Sequence, residues 1–180
     1  MTSRIEIILG PMFSGKSTEL LRRVSRYEAI GKKILLVNNS LDTRTGESIK
    51  THTNLKKKAI KTNTLLSLLE TQDFIDADII GIDEAQFFSD LKYFILKAEK
   101  TNKIIIIAGL DGDFKRNPFG QILECIPLCD NVIKLSAMCM ESKDGTPGIF
   151  TKRIIKSNKQ TLIGAQDSYV AVCREKYLSS

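Results

Sequence analysis

Short apolar runs alternate along this chain with segments whose apolar residues recur at helical spacing. The run "IEIIL" (5–9) leads through a glycine loop into "STELLRRVSRYEAIG" (17–31), which predicts a strand, a turn and a helix ending near Gly31. Next come "KKILLVNNS" (32–40), a polar stretch from Leu41 to Asn54, a helical pattern in "NTLLSLLETQDF" (63–74) and the strand "ADIIGID" (77–83). A helix through "DLKYFILKAEK" (90–100) and the strand "KIIIIAGL" (103–110) continue the alternation. Near-continuous Ile, Leu and Val runs mark strands buried on both faces, and helices between them imply right-handed crossovers of a parallel sheet.

After "NVIKLSA" (131–137) the pattern changes: the chain becomes rich in Lys, Gly, Ser and Thr and is punctuated by "DGTPG" (144–148). The expected organisation is therefore an α/β nucleotide-binding domain over 1–137 and a small β-rich lobe over 138–180. A chain of 180 residues, 42% hydrophobic, has material for one sizeable core.

Composition narrows the function classes. Arg4 and Glu6 interrupt the first apolar run, so it does not read as a secretory signal, and no later stretch reads as a membrane span. The expectation is a soluble protein of the cytoplasm, of the host's cytoplasm if the gene is viral, with no membrane partner. The formal charge is +6, but its one short cluster, "LKKKAIK" (55–61), lacks the interleaved aromatic residues that stack bases. It reads as a solvated face, and no nucleic-acid partner is expected. Four cysteines in such a chain read as thiols or metal ligands rather than disulfides.

The strongest chemical signal is "GPMFSGKS", comprising Gly10, Pro11, Met12, Phe13, Ser14, Gly15, Lys16 and Ser17. It fits G-x-x-x-x-G-K-[ST] between a strand and a helix, which is the P-loop context. Backbone N–H groups and the helix N-terminus would cradle phosphates. Lys16 would reach the β- and γ-phosphates, and Ser17 would ligate Mg²⁺. Asp83, at the end of a second buried strand, is placed to hold the same ion.

Glu84 follows as a second carboxylate. It would either orient a water, giving an ATPase, or accept a proton from a substrate hydroxyl, giving a kinase. "DEAQ" itself resembles the DExx box of helicases, but such helicases close two sheets on ATP and this chain has length for one. A one-domain ATPase stays open on this ground. Ligands of open α/β sheets bind beyond the carboxyl ends of the strands, where Met12, Phe87, Phe88, Leu110, Phe114 and Phe119 would converge on a crevice able to hold a planar base. Phe88 and Phe119 read equally well as core.

Taken together, "GPMFSGKSTELLRR", "IGIDEAQFF", "GLDGDFKRNPFG", "VIKLSAMC", "FTKR" and "DSYVAVCREKY" resemble the type II thymidine kinases, the cellular and poxvirus kind, in order and spacing over nearly the whole chain. The resemblance implies ATP-dependent phosphorylation of the thymidine 5′-hydroxyl, with Glu84 as base and Lys16, Ser17 and Asp83 handling phosphates and Mg²⁺. It implies that Phe87 and Phe114 contact the nucleoside, that Met12 and Leu110 line the space near its methyl group, and that Tyr169 covers the sugar or base. Arg153 would lie near the substrate, Arg44 matches a second loop arginine, and Gln160, Thr161, Leu162, Ile163 and Gly164 fall in a lasso-like loop whose backbone reads the pyrimidine edge. One methyl group in an apolar pocket discriminates by only about 1–3 kcal/mol, so deoxyuridine is an expected secondary substrate. The resemblance also implies a homo-oligomer, tetramer or dimer.

The chain departs from the family pattern at a structural zinc site built from two C-x-x-C pairs. Here "CMES" keeps Cys139 but has Ser142, and "CREK" keeps Cys173 but has Lys176. Two thiolates fall short of the four ligands of tetrahedral zinc, so the lobe is expected to fold without it, with the two cysteines buried or close enough to cross-link. Cys125 and Cys129 read as core, and His52 as a loop hydrogen-bonder. Ala85 stands where many members carry glycine, which is tolerable if its φ is negative.

Overall fold

The computed structural model describes residues 2–41, 48–50, 56–157 and 166–179. Its centre is a six-stranded sheet formed by β1 (Arg4–Leu9), β2 (Ile34–Asn39), β5 (Ile60–Thr62), β6 (Ile79–Ile82), β7 (Ile104–Gly109) and β8 (Asn131–Lys134). The order is β5-β2-β6-β7-β1-β8, and every neighbouring pair is parallel. An α/β parallel sheet is thus what the apolar runs specify.

Alternation along β1 sorts the two faces. Ile5, Ile7 and Leu9 join a core cluster with Val37, Ile82, Ile107, Phe88, Leu91 and Phe94, on the side of α3 (Leu91–Ala98). Ile8 points the other way, to Leu20, Leu21 and Val24 of α1 (Lys16–Glu28). Glu6 shares that second face, buried, and is neutralised there by ion pairs with Arg4 and Arg23. Phe88 is fully buried, which settles its reading as core.

The helix expected over 63–74 is corrected by the structure. A 3-10 turn (Leu66–Leu68) and the short α2 (Gln72–Asp76) take its place. Asp90, far along the chain, accepts bonds from the Thr64 hydroxyl and the Leu65 and Leu66 N–H groups at 2.8–2.9 Å, fixing the first turn from outside. Thr71 then ends that turn and caps α2 by accepting the Phe74 N–H. The lysine cluster, expected as a solvated face, forms β4 (Lys56–Lys58), with Lys58 exposed, pairs with β3 (Ser48–Lys50) and runs on into the sheet-edge strand β5.

Beyond β8 the described strands form two separate pairs. β9 (Ala137–Met138) pairs with β10 (Pro147–Gly148), and β11 (Phe150–Arg153) with β12 (Tyr169–Val172), both antiparallel. A short helix, α4 (Arg174–Leu178), closes the chain over a small apolar cluster of Cys139, Val172 and Cys173 with Phe150 and Tyr177 against it. Cys125 is buried in the main core and Cys129 is half-buried against it.

Candidate active site

The strand order brings three carboxyl ends side by side: β6, β7 and β1. Register pairs Ile82 with Ile107 and Leu9 with Gly109, so the segments that follow, 83–87, 110–120 and 10–17, leave the sheet from one edge.

Segment 10–17 turns sharply out of β1. A Cβ on Gly10 would meet Ser14 Oγ at 2.6 Å and the Leu135 carbonyl oxygen at 2.7 Å, so only glycine fits. Phe13 and Gly15 take left-handed φ values of 66° and 81°, and the Gly15 carbonyl accepts the first bond of α1 from Glu19 N–H at 2.9 Å. The Pro11 carbonyl accepts both the Ser14 hydroxyl (2.9 Å) and the Lys16 ammonium (2.7 Å). Met12 N–H donates to the Thr151 hydroxyl of β11 at 3.0 Å, tying the loop to the small lobe.

Asp83 is buried, hydrogen-bonded by the Ser17 hydroxyl, and accepts the Glu84 N–H at 3.0 Å. Burial, then the neighbouring charge of Glu84, push its carboxyl up to about 7; the Ser17 and Glu84 bonds and the Lys16 charge pull the other way. Its oxygens and the Ser17 hydroxyl are hard donors of the kind Mg²⁺ prefers, and a dication beside Asp83 would reverse the shift. The pair fits such an ion.

Glu84 adopts φ 52° and ψ 40°, a left-handed conformation that costs a non-glycine residue about 1–3 kcal/mol and concentrates at functional sites. Ala85 is not among the residues of positive φ, so alanine is accommodated; the strained position is the acid itself. A 3-10 turn, Ala85–Phe87, follows. Gln86, buried within it, donates through Nε2 to Glu84 Oε2 at 2.6 Å and accepts the Leu110 N–H at 2.9 Å.

The other wall is aromatic. Phe87 meets Phe119 edge-on, with centroids 5.5 Å apart and planes at 88°, and Phe119 is buried behind it. Phe114 lies under the Arg153 guanidinium at 3.7 Å, and Arg153 also donates to the Tyr169 hydroxyl and to the Ser157 carbonyl (2.8 Å). The Phe114 carbonyl accepts the Tyr177 hydroxyl at 2.8 Å. Asp113 folds the loop by accepting the N–H groups of Lys115 and Asn117 at 2.8 and 2.9 Å. Contacts thus link Met12 to Thr151, Ser17 to Asp83, Glu84 to Leu110 through Gln86, and Phe114 to Tyr169 through Arg153. Arg44, His52 and the expected reader loop, Gln160 to Gly164, lie outside the described residues. Gln86, Thr151 and Tyr177 are members of this network that the sequence reading did not single out.

The chain matches the profile of the family described as "Thymidine kinase" over residues 3–177. It belongs to the thymidine kinase family. It is 43% identical over 177 residues to the thymidine kinase of Variola virus and 42% to that of Vaccinia virus (strain Western Reserve), each alignment covering 98% of this chain and 97% of the relative. The thymidine kinase of Sheeppox virus (strain KS-1) is 46% identical over 174 residues, 96% of both chains. Among solved structures, the flagellar accessory protein FlaH of Methanocaldococcus jannaschii is similar in fold, with TM-score 0.50 over 87% of this chain and 74% of that one at 16% identity.

Against the family's implied zinc site, the donor set here does not fit. Cys139 Sγ accepts the Cys173 N–H at 3.2 Å, and Ser142 Oγ lies 3.8 Å from Cys173 Sγ. The Lys176 ammonium pairs with Glu175 at 3.7 Å. Two thiols, a hydroxyl and an ammonium do not make a tetrahedral zinc site. No helix among the described residues is long and apolar enough to cross a membrane.

Proposed function

We infer that this member of the thymidine kinase family transfers the γ-phosphoryl group of ATP to the 5′-hydroxyl of thymidine, giving dTMP, with Glu84 as the general base. The match to the family profile across residues 3–177 carries the reaction class. The strained placement of Glu84 beside the Ser17–Asp83 pair supports its role.

In this reading the backbone of Gly10 to Lys16 holds the triphosphate, and the Lys16 ammonium exchanges the Pro11 carbonyl for phosphate oxygens. Ser17 and Asp83 hold Mg²⁺, which when bound neutralises charge on the β- and γ-phosphates. Glu84 takes the 5′-hydroxyl proton as that oxygen attacks phosphorus in line with the departing ADP oxygen. Phe87 and Phe114 contact the nucleoside, Met12 and Leu110 line the space near its methyl group, and Phe119 acts from behind Phe87. Tyr169 and Arg153 close over the nucleoside, with the backbone of Gln160, Thr161, Leu162, Ile163 and Gly164 reading the pyrimidine edge. Deoxyuridine is a secondary substrate, the lobe over 138–180 folds without zinc, and the protein works as a homo-oligomer in the cytoplasm.

A coupled assay of ATP consumption tests the reading. Turnover should require thymidine, and Glu84→Gln should lower it about 10²–10⁴-fold while ATP binding survives. Thymidine-independent turnover would make the protein an ATPase, and unchanged turnover in Glu84→Gln would remove that residue from the mechanism. Metal analysis of the purified protein checks the lobe: one tightly held zinc per chain would contradict its metal-free state.

A further inference from the structure

We propose that Gln86 is a positioning residue that sets the orientation of the Glu84 carboxylate and ties it to the nucleoside loop. The inference rests on Glu84 being the base.

Gln86 spends both ends of its amide inside the site. Its Nε2 donates to Glu84 Oε2 at 2.6 Å, and its Oε1 accepts the Leu110 N–H at 2.9 Å. The assignment of the two amide atoms follows from chemistry: a flipped amide would set its NH₂ against the Leu110 N–H and its oxygen against a carboxylate oxygen. Gln86 is only 3% exposed, so losing either partner would leave a buried polar atom unsatisfied. The bond to a carboxylate is charge-assisted and directional, so it restrains rotation of the Glu84 carboxyl group.

The same residue touches the loop at its other end. The segment 110–120, which carries Phe114, begins at the Leu110 N–H bonded to the Gln86 side chain. It ends at Gly120, where an added Cβ would come within 2.2 Å of the Gln86 carbonyl oxygen. Both feet of the nucleoside loop therefore stand on Gln86. A base that must meet a hydroxyl at hydrogen-bond distance gains from being indexed to the loop that positions that hydroxyl, because a misplacement of about 1 Å can cost about 10²-fold in rate.

A purely structural role, satisfying the buried Leu110 N–H, makes a different prediction, and a double-mutant cycle separates the two. Initial rates would be measured for wild type, Gln86→Met, Glu84→Gln and the double variant, varying thymidine and ATP in turn. Gln86→Met keeps the volume and removes both bonds. It should lower kcat by up to about 10²-fold and leave the ATP KM within about twofold. In the Glu84→Gln background the same change should alter kcat by no more than about twofold, since the group it positions is gone. Equal losses in both backgrounds, or an unchanged kcat in the single variant, would overturn the proposal while leaving Glu84 as base. Full activity in Glu84→Gln would overturn both.

Should Gln86→Met fail to fold, the wild-type chain supplies the readout. With ¹⁵N-labelled protein, the Gln86 side-chain amide should resonate downfield of the other glutamines, and that shift should vanish in Glu84→Ala. A Gln86 amide unmoved by loss of the Glu84 carboxylate would overturn the proposal.

Discussion

The two ends of the crevice are built on different plans. In the proposed reading the phosphate end is one contiguous segment, Gly10 to Ser17, joined by Asp83 just after β6, and its recognition elements would be backbone N–H groups, the Lys16 ammonium and the Ser17 hydroxyl. The proposed nucleoside end would draw on four separate described segments, 86–87, 110–119, 151–153 and 169–177, which touch one another. A phosphate is the same in every nucleotide, so a fixed backbone cradle on a rigid strand and helix suffices. A nucleoside must be told from its relatives, and in the proposed reading side chains from several segments supply the shape while a loop backbone reads the pyrimidine edge.

Of the changes that separate the two ends, the largest expected effect falls at the phosphate end. Lys16→Met removes the ammonium proposed to meet the developing charge and should lower kcat about 10²–10³-fold, as loss of a preorganised electrostatic donor does. Thymidine binding, measured by calorimetry, should be unchanged. A variant that lost thymidine affinity equally would show that the two ends are not separable.

The nucleoside end should respond in KM. Phe114→Ala removes the ring beneath Arg153 and should raise the thymidine KM about 10–100-fold, with the ATP KM unchanged. Steady-state kinetics with each substrate varied in turn reads the split. An equal rise in both KM values would mean that Phe114 supports the phosphate loop instead.

This division also explains what could be read from the sequence. The P-loop, Asp83 and Glu84 were legible because their chemistry is written in adjacent letters between apolar runs that announce parallel strands. Phe114, Arg153 and Tyr169 were located through family resemblance, and the structure sets them against one another. Gln86 and Thr151 were missed because their meaning lies in partners 24 and 139 residues away, Leu110 and Met12, which no local pattern reports. The error over 63–74 has the same origin. Its helical periodicity is real, yet Asp90, 24 to 26 residues on, holds the Thr64 hydroxyl and the Leu65 and Leu66 N–H groups, and Thr71 turns extended (φ −79°, ψ 148°) to cap α2, so the run is split into two short pieces.

Tyr177 sharpens the comparison at lower cost. It stands in α4, and its hydroxyl reaches back 63 residues to the Phe114 carbonyl. Its ring also packs beneath the Arg116 guanidinium at 4.5 Å and against Phe150 at 5.2 Å, so phenylalanine would keep the stack and lose one hydrogen bond. Such a bond contributes about 1 kcal/mol, so Tyr177→Phe should raise the thymidine KM about fivefold and leave kcat near wild type. A kcat that fell instead would place the C-terminal helix in the chemical step.

The smallest expected effect concerns the cysteines, where the two regions treat one side chain in opposite ways. In the main core, burial and then the nearby Glu124 charge push Cys125 up to about 12, keeping it a thiol. In the lobe burial again acts to raise Cys139, but the Ser142 hydroxyl and the backbone N–H groups of Ser142, Cys173 and Glu141 outweigh it and bring it down to about 6. A thiol lowered by folding favours the folded state once it ionises. That contribution is complete above the ordinary thiol value of 9.0 and is lost as pH falls through about 6. Melting temperatures of wild type and Cys139→Ala, compared from pH 6 to 9, should therefore diverge in favour of wild type as pH rises. Parallel curves would mean that Cys139 serves the lobe as a small apolar residue, and that its contacts with Val172 and Cys173 rather than its N–H···S bonds hold β9 to β12.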